Sequence, residues 1–382
     1  MEDAKKSEEL NIVFKRSWWK GLIVTGIIVG FYVFGKVIIS LDSFDPVNNV
    51  IENYNLSDLY FHWHERVDAS KPYIIVDISD IHNRSEIAAL LEKIDSVRPK
   101  VIGLDVFFSQ ATKMPQEENE SLVRVLQEMQ TPLVAASLIT PIDEKNNTLE
   151  SSYFISELRD KSTIYEGVID FPRDSRTVRA YRPVWKLDGD TIYSFAKQIA
   201  DLAGIPMPSD TNTYLISYAE RDTTIYKSKE LENFGMLKNR VVLVGDFNDK
   251  QDMFPIPVTL NASRYCPGVE IHKQILSTAD SGWNPRKAHV WLEICISFLV
   301  IWIFCMIAYF LGTICDGKWK IAVIIMSAVF ILLAVVIGDY LFWSGTYFSM
   351  KYILVGMALS STALDIVAAG ESFLNAKKNK KV

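Results

Sequence analysis

Four apolar blocks limit what this 382-residue chain can become. GLIVTGIIVGFYVFGKVIIS covers residues 21–40, and three more blocks lie near the C-terminus at 290–314, 321–343 and 347–369. Each runs for roughly 20 residues or longer, enough at 1.5 Å per residue to cross a hydrocarbon layer about 30 Å thick. Four transmembrane helices are therefore expected. A cleaved secretory leader is the ordinary alternative for the first block, but the tail before it is long and LDSFDPVNN after it shows no A-x-A pattern. The block reads as an uncleaved anchor.

Orientation follows from lysine and arginine beside the spans. Lys5, Lys6, Lys15, Arg16 and Lys20 precede the first span, Lys318 and Lys320 lie between the second and third, and Lys377, Lys378, Lys380 and Lys381 follow the fourth. With four spans these segments share one side, which the positive-inside rule makes cytoplasmic. Arg286 and Lys287 before the second span are the contrary signal. The expected organisation is a cytoplasmic tail (1–20), an extracytoplasmic domain (41–289) and a basic cytoplasmic tail (370–382), in a bacterial inner membrane. That last tail is too short for a folded enzyme, so a fused output domain is not expected. Of the four cysteines, Cys295, Cys305 and Cys315 fall in or beside the second span, leaving Cys266 alone outside. Neither an intradomain disulfide nor a zinc framework is expected there.

The exterior segment changes period. PYIIVDISD (72–80) is a β-rich run, SEIAALLEKIDSVRP (85–99) has helical spacing with Ser85 as its N-cap and Pro99 as its stop, and KVIGLDVFF (100–108) is a second buried strand. Together they read as a parallel βαβ unit. PLVAASLI (132–139) reads as a strand, EGVIDFPRDSRTVRAYRPVW (166–185) as two strands joined by a polar turn, and TIYSFAKQIADLAG (191–204) as a helix with a glycine C-cap. TYLISY (213–218) and VVLVG (241–245) follow as strands, and PGVEIHKQILS (267–277) as a helix. The fold class is α/β, a mixed and mainly parallel sheet covered by helices, with four transmembrane α-helices.

Parallel strands deliver their ligand sites at their carboxyl ends. Here those ends carry Asp77 with Asp80, Asp105 and Asp246, and Asp249 and Asp252 follow in DFNDKQD. They could converge on one crevice as ligand-binding residues, or simply cap helices and brace turns. Lys250 stands where a calcium loop needs oxygen, so no EF-hand is present and no metal site is assigned.

These segments resemble the CHASE sensory domain of the second type, an extracytoplasmic module associated with cyclases and histidine kinases. The matching pieces are YFHWHERVDASKPYIIVDISD (60–80), RPKVIGLDVFFSQ (98–110), GVIDFPRDSRTVRAYRP (167–183), SFAKQIA (194–200), LKNRVVLVGDFNDKQDMFPIP (237–257) and PGVEIHKQIL (267–276), in the family's order. One helix before the domain and three after it also resemble that family's layout. Two departures stand out. A tryptophan-proline-rich stretch after the first strand is replaced by IHNRSE (81–86), and no kinase or cyclase follows the last helix.

Further residues carry competing readings. His272 lies two residues from Glu270, a spacing that does not face one direction on a helix, so a paired acid and base is not expected. His62 and His64 would share a strand face, where an aromatic cluster outweighs a metal site. Arg173, Arg176, Arg179 and Arg182 recur every third residue and read as a solvated surface, or as an anion pocket if the turn curls them together. Asp339 and Lys351 face each other across a short turn and can pair. Asp365 lies within the fourth span, where an unpaired carboxylate costs on the order of 2–3 kcal/mol. Gly356 and Ser360 would let another helix approach closely, which makes Gly356, Ser360 and Asp365 the expected partner-binding set.

The expected function is a membrane-anchored sensor, non-enzymatic, that binds an unidentified ligand or envelope protein outside and relays its state to a separate cytoplasmic or membrane output protein. A structural or assembly factor of an envelope complex is the alternative, and a metal-dependent hydrolase the third. No cofactor is indicated, and no phosphate loop, Ser-His-Asp order or nucleic-acid module is visible.

Overall fold

A computed structural model describes residues 2–39, 55–64, 73–108, 116–141, 147–158, 160–172, 177–218, 224–257, 265–314 and 319–379. Arg173, Arg176, Cys315, Lys318, Lys380 and Lys381 lie outside the described residues. The chain forms two compact units, one of residues 61–287 with 52–54, the other of residues 1–51, 55–60 and 288–382.

The first unit is a three-layer α/β structure. Its strands are β1 (Tyr73–Asp77), β2 (Val101–Asp105), β3 (Leu133–Pro141), β4 (Asn147–Ser151), β5 (Ile164–Val168), β6 (Ala180–Tyr181), β7 (Val184–Leu187), β8 (Asp190–Tyr193), β9 (Tyr214–Leu215), β10 (Thr224–Lys227) and β11 (Val241–Gly245), followed by a β12 (Met253–Pro255) and β13 (Tyr265–Pro267) pair. The main sheet runs β10-β1-β11-β2-β3, parallel throughout. β3 then pairs in parallel with β5 through Leu133–Ser137 and antiparallel with β4 through Ser137–Pro141.

Strand alternation splits the core into two layers. Ile74, Val76, Ile102, Leu104, Val242 and Val244 face the helices α1 (Arg84–Ser96) and α2 (Gln116–Glu128), packing with Leu91, Ile94 and Leu126. Tyr73, Ile75, Val101, Val241 and Leu243 face the other way, against α3 (Phe195–Ala203) and α4 (Gly268–Asp280). Burying each such side chain contributes about 1.5–3 kcal/mol relative to exposure. Tight helix approach on this second face needs small residues: a Cβ on Gly103 would meet Ile199, Leu243 and Phe195 within 2.9 Å, and one on Gly167 would lie 2.5 Å from the Phe195 backbone.

The second unit holds four helices long and apolar enough to cross a membrane, with spans at Asn11–Gly35, Val290–Ile314, Lys320–Trp343 and Lys351–Lys377. Val24, Ile28, Phe304, Ala308, Val323, Met357 and Leu364 form its core. Gly21 of the first helix lies against the Met306 backbone of the second, where an added Cβ would come within 3.0 Å. Charged groups tie the helix ends. Glu371 accepts from Lys20 at 2.8 Å, Arg16 at 3.3 Å and the Tyr309 hydroxyl at 2.9 Å, joining the first, second and fourth helices.

Several local expectations change. The two strands of the expected βαβ unit are not neighbours, because β11 is inserted between β1 and β2 and pairs with both. α1 is capped by Asn83, whose side chain accepts from the Glu86 N–H at 2.8 Å, rather than by Ser85. It ends at Ser96, before the left-handed Arg98 and Pro99. Residues 166–185 do not form a hairpin: β5 joins the main sheet, β6 pairs with β9, and β7 pairs with β8. Asp190–Tyr193 is strand, so α3 starts only after Ser194, whose hydroxyl accepts from the Lys197 N–H, and it does end on left-handed Gly204. α2, β4 and β10 are additional elements. His64 follows a helix, Leu56–Trp63, rather than lying in a strand, and its ring lies 6.4 Å from Trp283, which also meets Phe61.

Candidate functional site

β1, β11 and β2 end in register: Asp77 pairs with Gly245, and Gly245 with Asp105. All three residues lie on the sheet face covered by α4, and Gly245 has no room for a side chain because Val269 of that helix would lie 2.7 Å from its Cβ. The chain leaving β11 folds over this edge. Asp246 and Asp249 brace its turns by accepting from the N–H groups of Asn248 at 2.7 Å and Gln251 at 2.9 Å. This wrapping carries Asp252 back to the first residue of α4, where its Oδ2 accepts the Gly268 N–H at 3.0 Å.

The result is a cleft of about 320 Å³ lined by Asp105, Asp170, Gln251, Asp252, Gly268 and His272, with Ile169, Phe171, Val178 and Phe254 among its apolar walls. Burial, with the neighbouring Asp252 carboxylate, holds Asp105 well above the usual carboxylate range. Asp252 is pushed up to about 6, first by burial and then by Asp249 and Asp246, against the lowering effect of the Gly268 N–H. His272 is pushed down to about 3 by burial, so its imidazole is neutral at physiological pH. Its ring lies tilted between those of Phe171 and Phe195, at centroid distances of 5.0 and 4.9 Å. Asp105 Oδ2 and His272 Nδ1 are both sealed from solvent without a hydrogen-bond partner.

Of the aspartates that could converge on one crevice or brace turns, Asp105 and Asp252 share the cleft. Asp77 is buried and braces the edge, accepting from the Ser79 N–H at 2.9 Å and the Phe247 N–H at 3.2 Å. Asp80 instead joins the end of β1 to the residues after β10, accepting from Ser228 Oγ at 2.6 Å and the Lys229 N–H at 3.1 Å. Asp246 sits in its own turn. Asp170 and His272 are cleft residues that the sequence reading did not place there. Asp170 lies two residues past β5, a carboxyl end like the others, and accepts from the Ile139 N–H at 2.6 Å. His272 is four residues after Gly268, which puts both on one face of α4.

The arginine series does not form a solvated surface where it is described. Arg179 is buried, and Arg182 stacks on Trp185 at 4.8 Å. In the helix unit, Gly356 packs against Ile301 of the second helix and Ser360 is wholly buried, donating to Met357 O at 2.6 Å. Asp365 has an intramolecular partner, Lys320 of the third helix, at 3.0 Å. Lys351 lies 4.9 Å over the Tyr352 ring.

An α/β unit with a cleft at the carboxyl ends of its parallel strands, in a chain with four membrane-crossing helices, defines a membrane-anchored α/β protein. The chain belongs to the CHASE2 family: the CHASE2 domain matches residues 28–312, and this domain is an extracytoplasmic sensory module rather than a catalytic one. Neither the curated proteins nor the solved structures offer a significant match.

Proposed function

We propose that this protein is a membrane-anchored sensor whose α/β unit lies outside the bacterial inner membrane, with both termini cytoplasmic. It binds its ligand in the Asp105–Asp252 cleft and relays the bound state through the helix unit to a separate cytoplasmic or membrane partner. The observation that carries this reading is the cleft itself: in a chain of a sensory family, two neighbouring carboxyl groups line it, and buried polar atoms of Asp105 and His272 have no hydrogen-bond partner. Burying like charges is costly in the empty state. A ligand that relieves the cost favours one arrangement of the domain, and only such differential binding can move an equilibrium inward. The partner meets the fourth helix at Asp365, whose carboxylate remains half exposed beside Lys320.

The relay is testable without knowing the ligand. Thr25 of the first helix, whose hydroxyl donates to Gly21 O at 2.8 Å, and Cys305 of the second are both buried and are neighbours between the two helices. With Thr25→Cys in a chain whose other native cysteines are alanine, crosslinking to Cys305 in native membranes reports helix arrangement. Neutralising the cleft with Asp105→Asn and Asp252→Asn together should change the crosslinking rate severalfold. An unchanged rate removes the relay.

A further inference from the structure

We infer that the Asp105–Asp252 cleft takes a small organic cation, its ammonium or guanidinium head between the two carboxylates and a short apolar segment against Phe171 and Phe254. This inference deepens, and rests on, the sensor reading.

Charge gives the first argument. Among the described residues no cationic side chain forms an ion pair with Asp105 or Asp252, and the groups whose charge raises Asp252 are further carboxylates, Asp249 and Asp246. A cation placed between Asp105 and Asp252 would therefore offset the burial cost that chiefly raises both groups, and the carboxylate repulsion that adds to it. The α4 N-terminus offsets this only in part, its Gly268 N–H lowering Asp252 while leaving the net shift upward. That same contact argues against an anionic ligand.

His272 points to the same ligand class independently of the acidic cluster. His272 is only 2% exposed, its ring lines the cleft, and its Nδ1 has no partner. Buried polar atoms in folded proteins are nearly all hydrogen-bonded, so an orphaned nitrogen on a ring of the cavity wall marks a missing donor that a ligand seated in the cleft would supply. As the neutral imidazole it can accept an N–H bond, as can the orphaned Asp105 Oδ2. A cationic head with several N–H donors supplies both at once.

Size and wall chemistry select an organic ion over a metal. The cleft has room for on the order of ten water molecules, more than a bare ion needs. Among the described residues no three His, Cys, Asp or Glu side chains are grouped to hold a metal. Phe171 and Phe254, edge to face at 5.2 Å, instead offer aromatic surface of the kind that attracts organic cations.

The test uses the full-length protein in lipid nanodiscs and calorimetric titration with n-butylammonium and n-butylguanidinium, against neutral n-butylurea and against calcium chloride. At least one organic cation should bind, with butylurea much weaker, and Asp105→Asn or Asp252→Asn should each weaken binding about tenfold or more, as loss of a charge-assisted hydrogen bond implies. Thermal melts of the two variants confirm folding, and Phe254→Ala, which leaves the carboxylates in place, should also weaken binding. Equal binding of butylurea, binding of calcium alone, or no binding by either cation overturns the inference. If the Thr25→Cys crosslink responds to cleft neutralisation while no cation binds, the ligand class fails and the sensor stands. If cations bind and the crosslink never responds, the sensor fails and the site stands.

Discussion

The Asp252 carboxylate occupies the space a side chain at position 268 would need. A Cβ built on Gly268 falls 2.6 Å from Asp252 Oδ1, while the Gly268 N–H donates to Oδ2 at 3.0 Å. Gly268→Ala must therefore rotate the carboxylate away from both the helix terminus and Asp105. The expected cost is about 1–2 kcal/mol, the loss of one charge-assisted hydrogen bond at a helix N-terminus, read as a lower midpoint in chemical denaturation. An unchanged midpoint would show that the contact contributes nothing.

Stability should respond to pH through the same pair. Asp252 and Asp105 have folded values raised above those of the unfolded chain, so their contribution is fully present below about pH 4 and lost as pH rises through the folded values, near 6 for Asp252. His272 runs the other way: its folded value of about 3 makes its contribution complete above about pH 6.5 and lost on acidification. Comparing Asp252→Asn with the parent cancels the histidine. The variant should be the more stable by about 1–2 kcal/mol at pH 7.5, with the gap closing by about pH 4. A gap of the opposite sign at pH 7.5 would mean that the carboxylate is stabilised as an anion.

Two glycines under α3 should differ in their tolerance of alanine. A Cβ on Gly167 meets the Phe195 backbone, at 2.5 Å from Cα and 2.9 Å from N, whereas one on Gly103 meets only side-chain atoms of Ile199, Leu243 and Phe195. Backbone cannot rotate aside, so Gly167→Ala should destabilise by about 3 kcal/mol and Gly103→Ala by about 1–2 kcal/mol. Thermal melts of the two variants decide the order.

In the helix unit the contrast is between Gly356 and Gly26. Gly356 lies against Ile301, and Gly26 has nothing within 4 Å of its added Cβ. Gly356→Val should lower the unfolding midpoint in mild detergent, by about 1–3 kcal/mol of overpacking, while Gly26→Val leaves it nearly unchanged. Equal effects would contradict the packing.

What the sequence made legible, and what it did not, follows from the range of the forces involved. The four membrane helices were readable because apolar length alone decides them. Asp105 was readable because a buried strand places its carboxyl end by a local rule. Sheet order was not: whether β11 or β2 lies beside β1 is decided by packing between segments far apart in sequence. α2 was passed over because only Leu122, Val125 and Leu126 are buried in an otherwise charged stretch. Asp170 went unnoticed once β5 was assigned to a hairpin instead of the parallel sheet, and with it the strand-end rule that would have found it. The spacing of His272 from Glu270 carries no signal, because its meaningful neighbour is Gly268, one turn earlier on the same helix. At Gly356, part of the small-residue signal on the fourth helix, the closely approaching helix belongs to the same chain.

The account stands on which side of the membrane the α/β unit faces, and labelling of single cysteines in intact spheroplasts tests that most directly. With the native cysteines replaced by alanine, Glu157→Cys on the exposed surface of the unit and Lys377→Cys near the end of the fourth helix are each offered a membrane-impermeant maleimide. The account predicts labelling at 157 before lysis and at 377 only after it. Labelling at 377 in intact spheroplasts with 157 protected would contradict it.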